Sequence, residues 1–201
     1  MTVITSNVWY NSANTQQHAE LKDGYYKGGG IYYNGNNSSV VMGHQPSLNV
    51  SNNLTVISWF NVYNTSNGKS LVSKTDNNQT RGYDFYTYGN TLEIILRPDS
   101  PNNKLTITNS ITNNTWYMGA FTYDGTTIKG YLNGNEINVS TTFANSATDT
   151  DQSLYIGGQN TANGLANVMF GKIGLTQIYS RALANSEIVT YFDRYRGRFG
   201  I

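Results

Sequence analysis

The chain has 201 residues and a formal net charge of +1, and only 12% of its residues are charged. So little positive charge cannot neutralise many phosphates, which argues against nucleic acid as a partner. The sequence contains no cysteine, so disulfide bridges, thiolate metal sites and cysteine nucleophiles are excluded together. Its 16 Tyr, 7 Phe and 3 Trp supply the apolar area for one core, and the length is ordinary for one all-β domain.

Residues 1–27 are polar and lack a regular pattern, and we interpret them as an N-terminal leader. They contain no basic segment followed by an apolar one, and no stretch of the chain approaches the roughly 20 apolar residues of a membrane span. We therefore expect neither a signal peptide nor a membrane partner. The leader carries Trp9 and Tyr10 in a polar setting, which is typical of an aromatic anchor that a partner buries. The alternative is that the leader folds back over the edge of the sandwich.

From Gly28 onward, short runs of alternating apolar and polar residues predict successive antiparallel strands. Asn-Gly and Asp-Gly pairs separate several runs and favour hairpin turns. About ten to twelve such strands, with no alternation of strands and helices, predict an all-β, two-sheet antiparallel β-sandwich. The first two strands are Ile31–Tyr33 and Ser39–Met42, and later ones begin at Leu54, Ser70, Arg81, Lys104, Trp116, Ser153 and Gly171.

The run RGYDFYTYGNTLEIILRP predicts a hairpin that turns at Gly89 and Asn90, and alternation divides it into two faces. The face expected in the core carries Tyr83, Phe85, Thr87, Leu92, Ile94 and Leu96. The opposite face carries Asp84, Tyr86, Tyr88, Glu93, Ile95 and Arg97. Across the whole chain, the predicted core residues are Phe60, Leu71, Phe85, Leu92, Ile94, Phe121, Leu132, Ile156 and Ile173. Trp59 and Trp116 stand in the most apolar strands and are also expected in the core.

One short C-terminal helix is predicted from Ser186 to Tyr195, with Asn185 as its N-cap. The sandwich then comprises residues 28–195, and residues 196–201 form a basic tail. Three arginines lie close together here: Arg194, Arg196 and Arg198. They are interpreted either as a solvated cluster favoured by the helix dipole or as contacts that fork onto a neighbouring subunit.

Five segments occur in order, namely GGGIYYNGNNSSVVMG, LTVISWF, WYMGAFTYDGTTIKGYLNGNEI, SLYIGGQ and GKIGLTQIYSRALANSEI. Together they resemble the laminin G-like, concanavalin A-like lectin/glucanase superfamily. This resemblance implies a jelly-roll sandwich of the concanavalin A type. Members often have Ser or Thr three residues before the Glu of the last motif, where this chain has Ala184, so we expect the helix cap to shift to Asn185.

The ending YFDRYRGRFGI is similar to the C-termini of laminin G-like proteins encoded by tailed bacteriophages. That similarity implies a virion structural or decoration protein on a capsid or tail, made in the host cytoplasm. Its partners would be other virion proteins or further copies of the chain, and it could also bind polysaccharide at the host surface. The alternative function is a stand-alone carbohydrate-binding module.

Enzymatic activity is not expected. The glucanases that the chain resembles carry carboxylates at alternate positions of one strand, so that both point into the cleft. Here the strand TLEIILRP carries Glu93 alone, followed on the same face by Ile95 and Arg97. Only Asp84 on the adjoining strand could supply a second carboxylate. We therefore predict no catalytic residues and keep a divergent glycan hydrolase as a distant alternative.

A sugar site needs an aromatic surface for a pyranose face, surrounded by groups that form hydrogen bonds. Asp84, Tyr86 and Tyr88, with Glu93 and Arg97 across the hairpin, are the candidate carbohydrate-binding residues. The same tyrosines would serve equally well to pack against another sheet or subunit, and both interpretations stay open.

Calcium is the one cofactor to consider, because related sandwiches hold it at a loop rim. The candidate ligands are Asp76, Asn78, Asp149 and Asp151. We favour the simpler interpretation that these residues only form turns, and we expect no other cofactor.

Overall fold

The computed structural model describes residues 8–10, 18–49, 53–98, 103–107, 111–140 and 149–201. Strands dominate these residues, and one α-helix lies near the C-terminus. The strands are β1 (Val8–Tyr10), β2 (His18–Lys22), β3 (Tyr25–Lys27), β4 (Gly30–Asn34), β5 (Ser39–Met42), β6 (Leu54–Val62), β7 (Lys69–Thr75), β8 (Arg81–Tyr88), β9 (Thr91–Pro98), β10 (Lys104–Ile107), β11 (Trp116–Tyr123), β12 (Ile128–Leu132), β13 (Asn135–Ser140), β14 (Leu154–Ile156), β15 (Gln159–Thr161), β16 (Gly164–Ala166) and β17 (Phe170–Tyr179). The helix, α1, spans Asn185–Phe199, and a short 3-10 turn occupies Pro46–Leu48.

Two large antiparallel sheets form a sandwich, which confirms the predicted fold class. One sheet has eight strands in the order β1-β2-β5-β14-β7-β8-β9-β10, and the other has seven in the order β13-β12-β11-β6-β17-β4-β3. A separate small hairpin pairs β15 with β16. Six of the thirteen neighbouring pairs in these two sheets join strands that are not consecutive in the chain, as the crossing connections of a jelly roll require.

The main core lies between the two sheets. All nine predicted core residues are at most 6% exposed, and the inward residues of the β8–β9 hairpin are buried as alternation predicts. Phe85 and Phe121 meet edge to face across the sandwich, with ring centroids 5.4 Å apart. The sheets approach closely at Gly119, where an added Cβ would lie 2.7 Å from the Leu92 side chain. Any larger residue there would push the sheets apart.

A second apolar cluster lies on the outer face of the seven-stranded sheet, under α1. Trp59 is fully buried there, and its ring stacks on Phe199 at 4.3 Å and on Phe192 at 5.8 Å. Trp116, which is half-buried, contacts Phe199 at 4.7 Å. Both tryptophans were expected in the core. This is confirmed for Trp59, which is buried in the second cluster because β6 is covered on both of its faces, and Trp116 is half-buried and packs against that cluster.

The start of α1 differs from the prediction. The N-cap is Ala184, which has no side-chain acceptor, and the Glu187 carboxylate accepts the Ala184 backbone N–H at 2.9 Å. Asn185 is the first helical residue, and its side chain binds Tyr131 and Glu136 on the neighbouring sheet. The Glu half of a capping box is therefore present, whereas the half that a Ser or Thr side chain would supply is missing. Asn185 anchors the helix to the sheet rather than capping it.

Both ends of the chain contain more regular structure than the polar sequence suggests. Within the predicted leader, β1 and β2 pair with each other and β2 pairs with β5, while β3 pairs with β4. All three are short and show little apolar alternation, and β1 and β3 are edge strands, which explains why the pattern misses them. At the other end α1 continues through the predicted tail to Phe199. In the described part of the chain, no helix is long and apolar enough to cross a membrane.

Candidate functional site

The outer face of the eight-stranded sheet carries a cavity of about 240 Å³ over β7, β8 and β9. Strand alternation places polar side chains here, because every second residue of these strands points away from the core. The β15–β16 hairpin and the residue after it, Asn167, close one side. The cavity is lined by Gly68, Ser70, Gln79, Asp84, Tyr86, Tyr88, Ile95, Arg97, Gln159 and Asn167.

Asp84 is the centre of the polar network beneath the cavity and is only 2% exposed. Its Oδ2 accepts hydrogen bonds from Arg97 Nη2 at 2.6 Å, Arg97 Nε at 2.9 Å and Gln159 Nε2 at 2.9 Å. Its Oδ1 accepts one from Ser73 Oγ at 2.6 Å. With these partners and so little exposure, Asp84 has little capacity left for a ligand. Its hydrogen bonds orient Arg97 and Gln159.

Arg97 and Gln159 extend this network to the rim of the cavity. Arg97 Nη1 donates to the Gln79 carbonyl at 2.7 Å, which ties β9 to the loop before β8. Gln159 Oε1 accepts a hydrogen bond from Asn167 Nδ2 at 2.7 Å. The amide of exposed Asn167 is therefore held in one orientation by a chain of hydrogen bonds that begins at Asp84.

A second pair of predicted residues lies on the same face of the sheet. The Tyr86 hydroxyl donates to Glu93, and Lys104 Nζ lies 3.2 Å from Glu93 Oε1. Burial, together with the hydrogen bond to Glu93, raises the pKa of Tyr86 well above its ordinary value, so the phenol stays protonated. Asp84 and Glu93 are each held by a cationic side chain, and neither is the cross-strand partner of the other.

Two residues of the cavity lining, Tyr88 and Ser70, are the candidate ligand contacts. The Tyr88 ring is 59% exposed and stands at the rim beside Gly68, where an added Cβ would lie 3.7 Å from Tyr88 and 3.4 Å from Asn167. Below it, Ser70 is only 2% exposed, and no described group forms a hydrogen bond with its hydroxyl. A buried hydroxyl without a partner is unfavourable by about 1–3 kcal/mol unless a ligand or water satisfies it.

As strand alternation predicts, the outer face of one hairpin carries Asp84, Tyr86, Tyr88, Glu93 and Arg97, and all of them except Glu93 line the cavity. The sequence does not predict the other side of the cavity, which is formed by residues outside this hairpin. Those residues are Ser70, Gln79, Gln159 and Asn167. The Asn163-Gly164 pair is the available signal for the β15–β16 hairpin, since Gly164 has the positive φ of +98° that such a turn requires.

The candidate calcium ligands are engaged in turns and local contacts. Asp76 accepts hydrogen bonds from Thr80 N at 2.6 Å and Arg81 N at 2.9 Å, so it closes its own loop, and Asn78 is an exposed residue of that loop. Asp149 accepts the backbone N–H of Thr150 at 2.8 Å.

A buried lysine binds the second candidate calcium loop, which contains Asp149 and Asp151. Lys74, which is 1% exposed, donates to the Thr150 carbonyl between Asp149 and Asp151. Burial lowers the pKa of this lysine, whereas the two aspartates oppose that shift. Among the described residues, no three acidic or histidine side chains cluster closely enough to hold a metal.

The predicted assembly residues lie far apart along the chain. Trp9 and Tyr10 belong to edge strand β1, where Trp9 pairs with Ala19, and their side chains are outside the described part of the structure. Arg194, Arg196 and Arg198 are exposed on α1, and Arg196 Nε lies 3.4 Å from Asp193 Oδ1.

A two-sheet jelly roll with a polar cavity on its outer sheet face is the architecture of lectin-type binding domains. Residues 34–189 match the family model described as the concanavalin A-like lectin/glucanases superfamily. This match covers most of the chain, and the chain belongs to that superfamily. No curated protein matches the sequence.

Solved structures with the same fold include binding domains of bacterial toxins. The botulinum neurotoxin serotype D ligand-binding domain, solved in complex with N-acetylneuraminic acid, has a TM-score of 0.70 and 14% identity, over 93% of this chain and 50% of that one. The binding domain of Paraclostridial Mosquitocidal Protein 1 has a TM-score of 0.66 and 20% identity, over 94% of this chain and 48% of that one. This chain therefore spans about half the length of these proteins, and the likeness establishes the fold.

Proposed function

We propose that the chain is a non-catalytic carbohydrate-binding module whose site is the cavity over β7, β8 and β9. The observation that carries the proposal is the pairing of an exposed aromatic ring, Tyr88, with a buried hydroxyl that has no partner, Ser70, in one cavity. Family membership supports it, because the superfamily includes lectins.

The cavity has the chemistry of a site for a neutral sugar. Tyr88 offers an apolar surface for one face of a pyranose ring, while Ser70 and Asn167 offer a hydroxyl and an amide for sugar hydroxyls. The charges of the lining are already paired, Asp84 with Arg97 at 2.6 Å, and the neighbouring Glu93 outside the lining is paired with Lys104 at 3.2 Å. A ligand with its own charge would have to break one of these pairs, so a neutral ligand is favoured.

The same two carboxylates argue against hydrolysis. A retaining glycosidase needs its two carboxyl groups about 5–5.5 Å apart, on either side of the bond that breaks. Here Asp84 lies beneath the cavity and holds four hydrogen bonds, and Glu93 accepts from Tyr86 and Lys104. Both groups have structural roles in the sheet.

Isothermal titration of a panel of neutral oligosaccharides, built from glucose, galactose, mannose and N-acetylglucosamine, tests the proposal. We expect Tyr88→Ala to weaken binding of the best ligand at least tenfold and Ser70→Ala to weaken it about threefold. Tyr26→Ala is the matched control, because Tyr26 is 60% exposed on the other sheet. Equal losses in the Tyr88 and Tyr26 variants, or no binding of any panel member, would refute the proposed site.

The virion structural or decoration role remains a second proposal that rests on the similarity of the chain ending. Exposed Arg194, Arg196 and Arg198 are compatible with contacts to a neighbouring subunit. Finding the protein on purified particles would support this role, and replacing the three arginines with glutamine should then reduce incorporation. Full incorporation of the triple variant would contradict the assembly role of these residues.

A further inference from the structure

A second cavity lies on the opposite side of the molecule, between the end of β17 and α1. Its volume is about 310 Å³, at the lower end of the range for small-molecule sites. Tyr179, Leu183 and Tyr191 give it apolar walls, and Arg181, Glu187 and Arg194 stand around them. No residue of this groove belongs to the cavity described above.

The charges in the groove are unevenly paired. Arg181 and Glu187 form an ion pair with two hydrogen bonds, at 2.6 Å and 2.8 Å, and Glu187 also accepts the Ala184 N–H. Arg194 has no carboxylate partner in the described residues, and its guanidinium lies 5.6 Å from the Tyr195 ring. Two arginines and one glutamate leave the lining with a net charge of +1. An unpaired guanidinium is well suited to bind a carboxylate.

The lining of this groove also includes a residue with a buried donor that has no partner. Tyr191 is only 9% exposed, and its hydroxyl makes no hydrogen bond to any described group. Burial raises the pKa of this phenol, and the neighbouring Tyr195 and Tyr179 raise it further, so the hydroxyl keeps its proton. Its ring packs against Tyr195 at 4.7 Å, which fixes the position of the hydroxyl. A ligand oxygen would satisfy this donor.

We propose that the groove between β17 and α1 is a second ligand site that binds an acidic sugar of the hexuronate class. Arg194 holds the carboxylate, the Tyr191 hydroxyl donates to a ring or hydroxyl oxygen, and the apolar walls contact the sugar ring. Glu187 does not repel the ligand strongly, because Arg181 neutralises it. This site goes beyond the proposed neutral-sugar cavity and does not depend on it.

The probe is glucuronate, titrated by NMR chemical-shift perturbation against two matched compounds. Glucose has the same ring without the charge, and acetate has the charge without the ring. We expect glucuronate to bind at least tenfold more tightly than either. Equal binding of glucose would overturn the charge recognition, equal binding of acetate would overturn the sugar assignment, and no saturable binding of glucuronate would overturn the whole proposal.

Variants on α1 separate this site from a general charge effect. Arg194→Gln should weaken glucuronate binding at least tenfold, and Tyr191→Phe, which removes only the hydroxyl, should weaken it about threefold. Arg196→Gln is the control, because Arg196 is on the same helix but pairs with Asp193 outside the groove. An equal loss in the Arg196 and Arg194 variants would overturn the proposal. Tyr88→Ala should leave glucuronate binding unchanged, so failure of the first site would be distinguishable from failure of this one.

Discussion

Replacing Phe199 with alanine should destabilise the whole domain, although the residue is third from the C-terminus. Its ring is 7% exposed and stacks on Trp59 at 4.3 Å with an interplanar angle of 14°. It also contacts Trp116 at 4.7 Å and lies against Gly174, where an added Cβ would be 2.6 Å from the ring. The ring therefore fills the space between the helix end and the seven-stranded sheet.

A buried Phe→Ala change is unfavourable by about 3–5 kcal/mol, and lost aromatic stacking adds about 1 kcal/mol. We expect a loss of about 3 kcal/mol, at the lower end of that range. Urea unfolding followed by tryptophan fluorescence measures it, and Trp59 reports on the contact itself. Val189→Ala, at a 45% exposed position of the same helix, is the control and should change stability by less than about 0.5 kcal/mol. A loss below about 1 kcal/mol for Phe199→Ala would refute the view that the C-terminal residues are part of the fold.

Further predictions concern backbone geometry, acid stability and catalysis. Gly82→Ala should cost about 3 kcal/mol or more in thermal unfolding, because Gly82 has φ +97° and an added Cβ would lie 1.8 Å from a carbonyl oxygen of β7. Gly197→Ala, where an added Cβ on α1 meets no atom, should instead stabilise the protein by about 0.5–1 kcal/mol. A loss of stability in this variant would contradict a helical conformation at residue 197. Hydrogen bonds from Arg181, then from Ala184, lower the pKa of Glu187 from 4.5 to about 2, so its contribution to stability is present above pH 4.5 and lost as pH falls towards 2. The stability difference between the wild type and Glu187→Gln should shrink over that interval, and a constant difference would count against the ion pair. Purified protein should release no reducing ends from common glucans, whereas turnover that Glu93→Gln abolishes would make the chain a hydrolase.

Strand alternation predicts the core and one wall of the proposed sugar site because both depend on local periodicity. A hairpin with a two-residue turn fixes its own register, so Asp84 and Arg97 are placed on one face by the sequence alone. The opposite wall depends on Gln159 and Asn167, which follow β14 at a distance of some 75 positions from Asp84. Polar residues with no alternation do not report such long-range contacts.

The ends of the chain were harder to predict for a different reason. Edge strands such as β3 bury little, so their polar sequences carry no apolar pattern. Helix α1 was predicted too short because exposed Arg196 and Arg198, with Gly197 between them, precede the apolar anchor Phe199 and do not indicate a helix. A truncation at residue 194 would remove that anchor and unfold the helix end. Substitution of the arginines is therefore the better test of assembly.

A crystal structure of the chain with the tightest-binding neutral oligosaccharide tests the central claim most directly. The account predicts a pyranose ring stacked on Tyr88, with one sugar hydroxyl about 3 Å from Ser70 Oγ and another near the Asn167 amide. The ion pair between Arg97 and Asp84 should be unchanged, because it supports the site from below. A sugar bound elsewhere, with only water in the cavity over β7, β8 and β9, would contradict the claim.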